Sequence, residues 1–157
     1  MTDHTPATLA LTEMGIPHQI FSHSGPIHSI EQAADERNQD LNQVIRSILF
    51  RLSKGEFAMV MIAGKAQISW RVLRQHFGTS RLTMATPEEV EAVTGYKIGT
   101  VSPFGLKNHI TMIADKNIFT PPAVSIGSGV SGTAILLRAE DFSHAIGEIE
   151  IGAFAKP

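Results

Sequence analysis

Apolar residues along the chain gather in short runs that polar and glycine-containing segments separate. Residues 44–53 and 57–63 are the most apolar runs, and Lys54-Gly55 lies between them. Two β-prone runs joined by such a turn predict an antiparallel hairpin. Because successive side chains of a strand point to opposite faces, Arg46 lies on a face whose other members are apolar. A charge in that position is unusual for a purely solvated side chain.

Several segments carry signals of helix N-termini. Thr5-Pro6 and Thr86-Pro87 each place a capping residue before proline at the first helical position. A capping box begins at Ser29, and Ser69 precedes apolar residues at helical spacing. Residues 139–146 predict a further helix, and Asp40 begins an additional short turn.

The remaining apolar runs predict further strands, at residues 17–23, 110–114, 123–126 and 133–137. The residues after Gly147 are ambiguous. Strands mixed with flanking helices predict a mixed α/β fold. The chain has no internal repeat, low-complexity tract or linker, so residues 1–157 are predicted to form a single domain.

The composition is that of an ordinary globular protein, with 43% hydrophobic and 18% charged residues among 157. The absence of cysteine excludes disulfides, thiolate metal sites and a cysteine nucleophile. Residues 1–6 lack the basic and apolar regions of a signal peptide. No apolar run approaches the roughly 20 residues that span a bilayer. We therefore expect a cytoplasmic protein that does not bind membranes.

The net charge of −2 conceals an uneven distribution. Residues 1–40 carry six acidic side chains and one basic, whereas residues 41–87 carry seven basic and one acidic. Residues 88–157 are mildly acidic again. A basic segment of this kind forms either a patch for a polyanion or a solvated face whose charges pair with the acidic segments.

A loop rich in glycine, Gly95–Gly105, follows a predicted helix and precedes a predicted strand. Glycine permits backbone angles that other residues avoid, so such a loop can expose N–H groups. Free N–H groups hold a carbonyl oxygen or a phosphate. The alternative interpretation is an ordinary turn.

A second glycine-rich segment, Gly127–Gly132, matches the spacing of a dinucleotide-binding fingerprint. That interpretation requires a helix directly afterwards. The segment that follows, residues 133–137, is apolar and predicts a strand instead. A turn between two strands is the remaining interpretation, with Ser128 and the backbone as an alternative contact for a ligand.

The seven histidines do not suggest a metal site, because no two have the spacing of a helical zinc site. His23 and His28 flank a Gly-Pro turn. Asp115 ends a predicted strand, where capping the next turn is the usual role of aspartate. No serine lies in a nucleophile-elbow context, so a catalytic triad is not predicted.

Taken in order, these segments resemble the YbaK/prolyl-tRNA-synthetase-associated domains over about residues 5–147. The helix from His28 to Ala34 resembles the family's Thr-Val-Glu-Glu-Ala-Ala segment, and residues 44–49 resemble its Val-x-Lys-Thr-Leu strand. Residues 94–105, with Gly99-x-x-x-Pro103-Phe104-Gly105, resemble its most distinctive loop. Asp115 and the glycine turn complete the series.

The resemblance implies a mostly antiparallel, multi-stranded sheet or partial barrel flanked by helices. It also implies a metal-free aminoacyl-tRNA deacylase without cofactor, whose partners are the aminoacylated 3′ end of tRNA and an aminoacyl-tRNA synthetase. Backbone N–H groups of Gly99–Gly105 would stabilise the oxyanion, and the basic segment would hold tRNA phosphates. The catalytic positions implied are Arg46, Gly99, Thr100, Val101 and Ser102. The substrate-binding positions implied are His28, Ser47, Tyr96, Pro103, Phe104, Gly105, Asp115, Gly127, Ser128 and Gly129.

Two positions depart from the family's pattern. Arg46 aligns with the family's strand lysine, and arginine keeps the charge but does not transfer protons at neutral pH. Thr100 replaces a second glycine of the loop. Two alternatives to a deacylase therefore stay open: a non-catalytic module that binds aminoacyl-tRNA, and a small-molecule or protein-interaction domain.

Overall fold

The computed structural model describes residues 4–157. Residues 1–3, the first half of the stretch 1–6 considered for a signal peptide, lie outside the described residues. The helices are α1 (Pro6–Glu13), α2 (Ile30–Glu36), α3 (Trp70–Phe77), α4 (Pro87–Thr94) and α5 (Ala139–Ile146). The strands are β1 (Gln19–Ser22), β2 (Ile45–Arg51), β3 (Phe57–Ala63), β4 (Thr83–Met84), β5 (Thr111–Asp115), β6 (Ala123–Gly127), β7 (Thr133–Arg138) and β8 (Glu150–Gly152). Across residues 4–157, every helix is too short or too polar to cross a bilayer.

The strands form two sheets, one of five strands in the order β4-β2-β3-β5-β8 and one of three in the order β1-β7-β6. The central hairpin of β2 and β3 is antiparallel, with Ile45 opposite Ala63. Among the strand pairs of residues 4–157, β3–β5 and β5–β8 are parallel and the others antiparallel. The predicted mixed α/β fold with mostly antiparallel strands is confirmed.

The predicted helix caps are present, but the predicted box at Ser29 is incomplete, because the Gln32 side chain accepts the His28 N–H rather than that of Ser29. Thr5, Ser29, Ser69 and Thr86 each accept a hydrogen bond from a backbone N–H of the first turn. At α4 the box is reciprocal, because the Glu89 carboxylate accepts from the Thr86 N–H at 2.9 Å. These side chains satisfy N–H groups that a helix cannot pair internally, so they fix where each helix begins.

Two short strands, β4 and β8, were not predicted. β4 has two residues, both exposed, and β8 has three, of which two are exposed. Such segments lack the alternation that identifies a strand in a sequence. They are extended because each pairs with the edge of an existing sheet, β4 with β2 and β8 with β5.

Strand β3 is buried on both faces, since Met59, Val60, Met61 and Ile62 are all fully inaccessible. Met61 packs in one apolar cluster with the three-stranded sheet, whereas Val60 and Ile62 pack in another with α3. The hairpin is therefore held rigidly from both sides, and β2 presents its outer edge at a fixed position.

Candidate functional site

The outer edge of β2 is open along its middle. One end of this edge meets β6 through a bridge between Val44 and Ser125, and the other end pairs with β4 at Phe50. Between these contacts a cavity of about 390 Å³ opens, which we call the edge cavity. Its wall is mainly apolar: Val44, Ile45, Ile48, Leu49, Ala85, Val90, Val101 and Ile126. Met84 and Ile98 at its mouth are more than half exposed.

Ser47 offers unpaired polar groups to this cavity. Its Oγ is buried and has no hydrogen-bond partner among residues 4–157. The Leu49 carbonyl accepts the Ala85 N–H at 3.0 Å across the outer edge. Because alternate residues of a strand direct their N–H and C=O groups to the same edge, those of Ser47 also point outward, towards the edge cavity. The site thus has a hydroxyl without a partner among the described residues and a backbone N–H that faces the cavity.

Arg46 lies beside Ser47 on the opposite face of β2 and lines the edge cavity as well. One terminal guanidinium nitrogen donates to the Ala66 carbonyl, whereas Nε is buried without a partner among the described residues. Burial lowers the pKa of Arg46 from its ordinary value. That ordinary value is so high that the side chain stays charged at neutral pH. The guanidinium group is therefore held in position, and its Nε–H has no partner among the described residues.

The glycine-rich loop, residues 95–105, folds partly upon itself. The Thr100 N–H donates to the Lys97 carbonyl at 3.0 Å, and the Phe104 N–H donates to Ser102 Oγ at 3.3 Å. These N–H groups are occupied. Gly99 and Val101 line the edge cavity, and within residues 4–157 their N–H groups have no partner. Ile98 also lines the cavity, and its N–H likewise has no partner within that range, so the loop's free donors at the cavity are at these three positions.

The second glycine segment is the turn between β6 and β7, which agrees with the rejection of a dinucleotide fingerprint. Ser128 Oγ accepts the Val130 N–H at 3.1 Å and so closes the turn. The two glycine loops are joined, because the Gly129 N–H donates to the Thr100 carbonyl at 2.9 Å. Gly127 lies against Val101 and lines the edge cavity.

The structure therefore brings five of the predicted site residues to one cavity: Arg46, Ser47, Gly99, Val101 and Gly127. The others lie outside its wall: His28, Tyr96, Thr100, Ser102, Pro103, Phe104, Gly105, Asp115, Ser128 and Gly129.

Most of the residues outside the wall hold the loops in place. Tyr96 is buried, and its hydroxyl donates to the Phe104 carbonyl at 2.6 Å. Burial raises the pKa of this hydroxyl, so it remains a donor. Gly105 packs against the backbone of Pro6, where a Cβ would come within 2.4 Å of carbonyl atoms. His28 is exposed and its N–H donates to the Gln32 side chain at 2.8 Å.

Asp115 is a structural carboxylate, 1% exposed. It caps the following 3₁₀ turn through the Asn117 N–H at 3.1 Å, as predicted. It also accepts the N–H groups of Phe154 at 2.9 Å and Ala155 at 3.1 Å. One side chain thus ties β5 to the C-terminal segment, a contact that the sequence does not reveal.

Asp115→Asn keeps the shape of the side chain but replaces one acceptor oxygen with a donor, which opposes an N–H group. We expect a loss of about 1–2 kcal/mol of stability, with an apparent melting temperature lower by roughly 3–6 °C. Thermal unfolding measures it, and Asp35→Asn, at an exposed position on α2, is the matched control. Equal melting temperatures for the two variants would contradict the structural role.

Sequence reasoning missed Arg37, which lines the edge cavity. Its Nε–H donates to His23 Nε2 at 3.1 Å, and a terminal nitrogen donates to Ser125 Oγ at 3.0 Å. His23 Nδ1 lies 2.6 Å from the Glu36 carboxylate, and the His23 side chain is inaccessible to solvent. Arg37 is the single lysine or arginine among positions 1–40. This isolated cation in an acidic segment is the sequence feature that could have identified it as a candidate site residue.

This arrangement fixes the His23 tautomer. Because Arg37 donates to Nε2, that nitrogen carries no proton, so Nδ1 holds the proton and donates to Glu36. The Gln32 amide and the His23 ring lower the pKa of Glu36, which keeps the acceptor ionised. The chain of contacts immobilises Arg37 beside the cavity.

We expect nitrogen-15 NMR of the imidazoles to detect the His23 proton on Nδ1 and none on Nε2. The buried proton should exchange slowly with solvent. His109, which is exposed, serves as the internal control and should average between tautomers. A proton on His23 Nε2 would contradict the contact with Arg37.

The basic segment is only partly neutralised. Lys65 pairs with Glu31 at 2.6 Å, and Arg51 pairs with Glu89 at 3.3 Å. Within residues 4–157, Arg71, Arg74 and Arg81 form no ion pair. Two cations of the segment thus pair with acidic side chains, as the second interpretation predicts, and three others are left without an ion pair in the described part of the chain.

Comparison with known proteins agrees with this architecture. A protein of Bacillus subtilis (strain 168), the uncharacterised YwhH, is 31% identical over 116 residues, covering 74% of this chain and 73% of that protein. The prolyl-tRNA editing protein ProX of Acetoanaerobium sticklandii is 23% identical over 141 residues, covering 87% and 85%. A crystal structure described as a proposed trans-editing enzyme for prolyl-tRNA synthetase has a TM-score of 0.87 at 21% identity, covering 97% and 96%.

The profile of the aminoacyl-tRNA editing domain matches residues 24–144, more than half of the chain. This range contains β2, both glycine loops and Arg37. The resemblance inferred from the sequence motifs is thereby confirmed, and the chain belongs to the aminoacyl-tRNA editing domain family.

Proposed function

We propose that this protein is a trans-editing deacylase that hydrolyses the ester of a misacylated tRNA, with residues 1–157 acting as one domain. The observation that carries the proposal is the edge cavity, where Arg46 and Ser47 of β2 meet Gly99 and Val101 of the family's loop. An apolar cavity with a few convergent donors suits a small aminoacyl group.

In the proposed reaction, a water oxygen adds to the ester carbonyl carbon and the carbonyl oxygen becomes an oxyanion. The carbon–oxygen bond to the terminal ribose then breaks, the ribose oxygen takes a proton, and free amino acid and deacylated tRNA result. Backbone N–H groups of Gly99 and Val101, together with that of Ser47, are the candidate oxyanion donors. Loss of one such donor typically costs about 10²–10³ in rate. The step uses no metal, and the substrate's own ribose hydroxyl orients the water.

Arg46 binds rather than transfers a proton in this proposal. Its guanidinium group, which belongs to the wall of the edge cavity, contacts either the ester carbonyl or the terminal phosphate. The unpaired basic residues Arg71, Arg74 and Arg81 hold phosphates of the acceptor stem. Affinity for tRNA should therefore fall steeply as salt is added, with a slope that reflects the number of phosphates contacted. A salt-independent affinity would favour a small-molecule or protein-interaction domain instead.

A non-catalytic aminoacyl-tRNA-binding module is the second candidate. The observation that favours it is Arg46 itself, which replaces the family's lysine and whose guanidinium is engaged by the Ala66 carbonyl. Such an arginine retains a cation for binding while losing the mobility of an ammonium group.

Single-turnover hydrolysis of Ala-, Cys- and Ser-charged tRNA distinguishes the two candidates. Because the relative from Acetoanaerobium sticklandii is a prolyl-tRNA editing protein, proline tRNA is the acceptor to charge first. Faster loss of one ester than in buffer supports the deacylase. Binding of the charged tRNA without accelerated hydrolysis of any panel member supports the binding module.

A further inference from the structure

A second cavity, of about 480 Å³, adjoins the edge cavity. Four residues line both: Ile30, Arg46, Ile48 and Met84. Arg46 and Ile48 share one face of β2 with Phe50, which lines the second cavity as well. A ligand that fills the edge cavity and extends past Arg46 therefore enters the second cavity.

The second cavity combines an aromatic ring with cations. Trp70, the first residue of α3, is half-buried and lines it. The Trp70 ring centroid lies 5.4 Å from that of Phe50 at an interplanar angle of 83°, so the indole is held in place. Lys65 and Lys156 line the same cavity. Aromatic rings beside cations are the usual contacts of single-stranded nucleic acid.

The cations of this cavity differ in how far they are neutralised. Lys65 pairs with the Glu31 carboxylate at 2.6 Å. Among residues 4–157, Lys156 and Arg46 form no ion pair. Arg46 lines both cavities, so its charge lies at their junction. A phosphate is the anion that these two side chains suit.

We propose that the second cavity binds the 3′-terminal nucleotide of the RNA, with its base against Trp70 and its phosphate between Lys156 and Arg46. The assignment rests on the proposed function, because it is the ester on the terminal ribose that must reach the edge cavity. Arg46 then lies at the junction of nucleotide and acyl group and contacts the phosphate.

The chain contains a single tryptophan, so its emission reports on this cavity alone. We expect the uncharged trinucleotide CCA to change the Trp70 emission saturably, whereas inorganic phosphate at the same concentration leaves it nearly unchanged. Binding of CCA without any change in emission would overturn the proposal.

Variants test the same contacts through the anisotropy of CCA labelled at its 5′ end. Trp70→Leu should weaken binding about tenfold or more, and Trp70→Phe, which keeps a ring against Phe50, should weaken it less. Lys156→Ala should weaken binding about three- to tenfold at low salt. Lys116→Ala, an exposed lysine that lines a separate cavity, is the matched control and should bind as the unmodified protein does. Unchanged affinity in both Trp70→Leu and Lys156→Ala would overturn the assignment.

Hydrolysis of charged tRNA separates this inference from the proposed function. If the unmodified protein deacylates tRNA and the variants Trp70→Leu and Lys156→Ala have the same KM as the unmodified protein, the nucleotide site is wrong and the deacylase stands. If the unmodified protein hydrolyses no ester while CCA binding still depends on Trp70 and Lys156, the site stands and the deacylase is wrong. A raised KM with a nearly unchanged kcat in both variants supports both.

Discussion

Arg46→Ala is expected to slow single-turnover hydrolysis of the preferred charged tRNA by about 100-fold, because the terminal phosphate and the ester beside it are no longer held in place, and a misplacement of about 1 Å costs about that much in rate. The side chain is fixed by its contact with Ala66 and keeps a buried, unpartnered Nε. The variant removes both the charge and this donor from the junction of the two cavities. Binding of the charged tRNA should weaken as well.

Two further variants make the Arg46 test specific. Arg46→Lys restores the family's residue, and we expect it to retain most of the activity because the charge remains at the same point of β2. Lys116→Ala removes an exposed cation that lines a separate cavity, so it controls for the loss of one charge. Equal rates for Arg46→Ala and Lys116→Ala would exclude Arg46 from the reaction. A change confined to affinity, with no hydrolysis in any variant, would identify a binding module.

The fold was largely predictable because its signals are local. Caps such as Thr86 and apolar runs such as residues 57–63 act within a few residues of themselves, so their pattern is visible in the sequence. β4 and β8 were not predictable, since each exists only through its pairing with a distant strand. The predicted turn at Gly127–Gly132 was correct because a strand, rather than a helix, follows it.

The site was predictable only in part. Motifs locate Arg46 and Gly99, but they do not distinguish loop residues that face a cavity from those that support the loop, such as Tyr96. That distinction depends on side-chain packing. Arg37 was missed because its partner Ser125 lies 88 positions away along the chain. Contacts of that separation leave no local pattern.

Gly127→Ala is expected to lower both stability and activity, because Gly127 packs against the backbone of the other glycine loop. A Cβ at this position would lie 2.0 Å from the Val101 carbonyl oxygen and 2.9 Å from that of Thr100. Both are backbone atoms, so the whole segment must move. We expect a loss of about 2–3 kcal/mol and a melting temperature lower by roughly 5–10 °C.

The same displacement moves Val101 at the edge cavity, so deacylation should fall about 10- to 100-fold in protein that remains folded. Gly25→Ala is the matched control, because a Cβ there meets no atom within 4 Å. Its stability should stay within about 1 kcal/mol of the unmodified protein. Thermal unfolding and single-turnover hydrolysis measured on both variants test the argument. If Gly127→Ala unfolds at the unmodified temperature and turns over normally, the two loops are not the rigid support that the cavity requires.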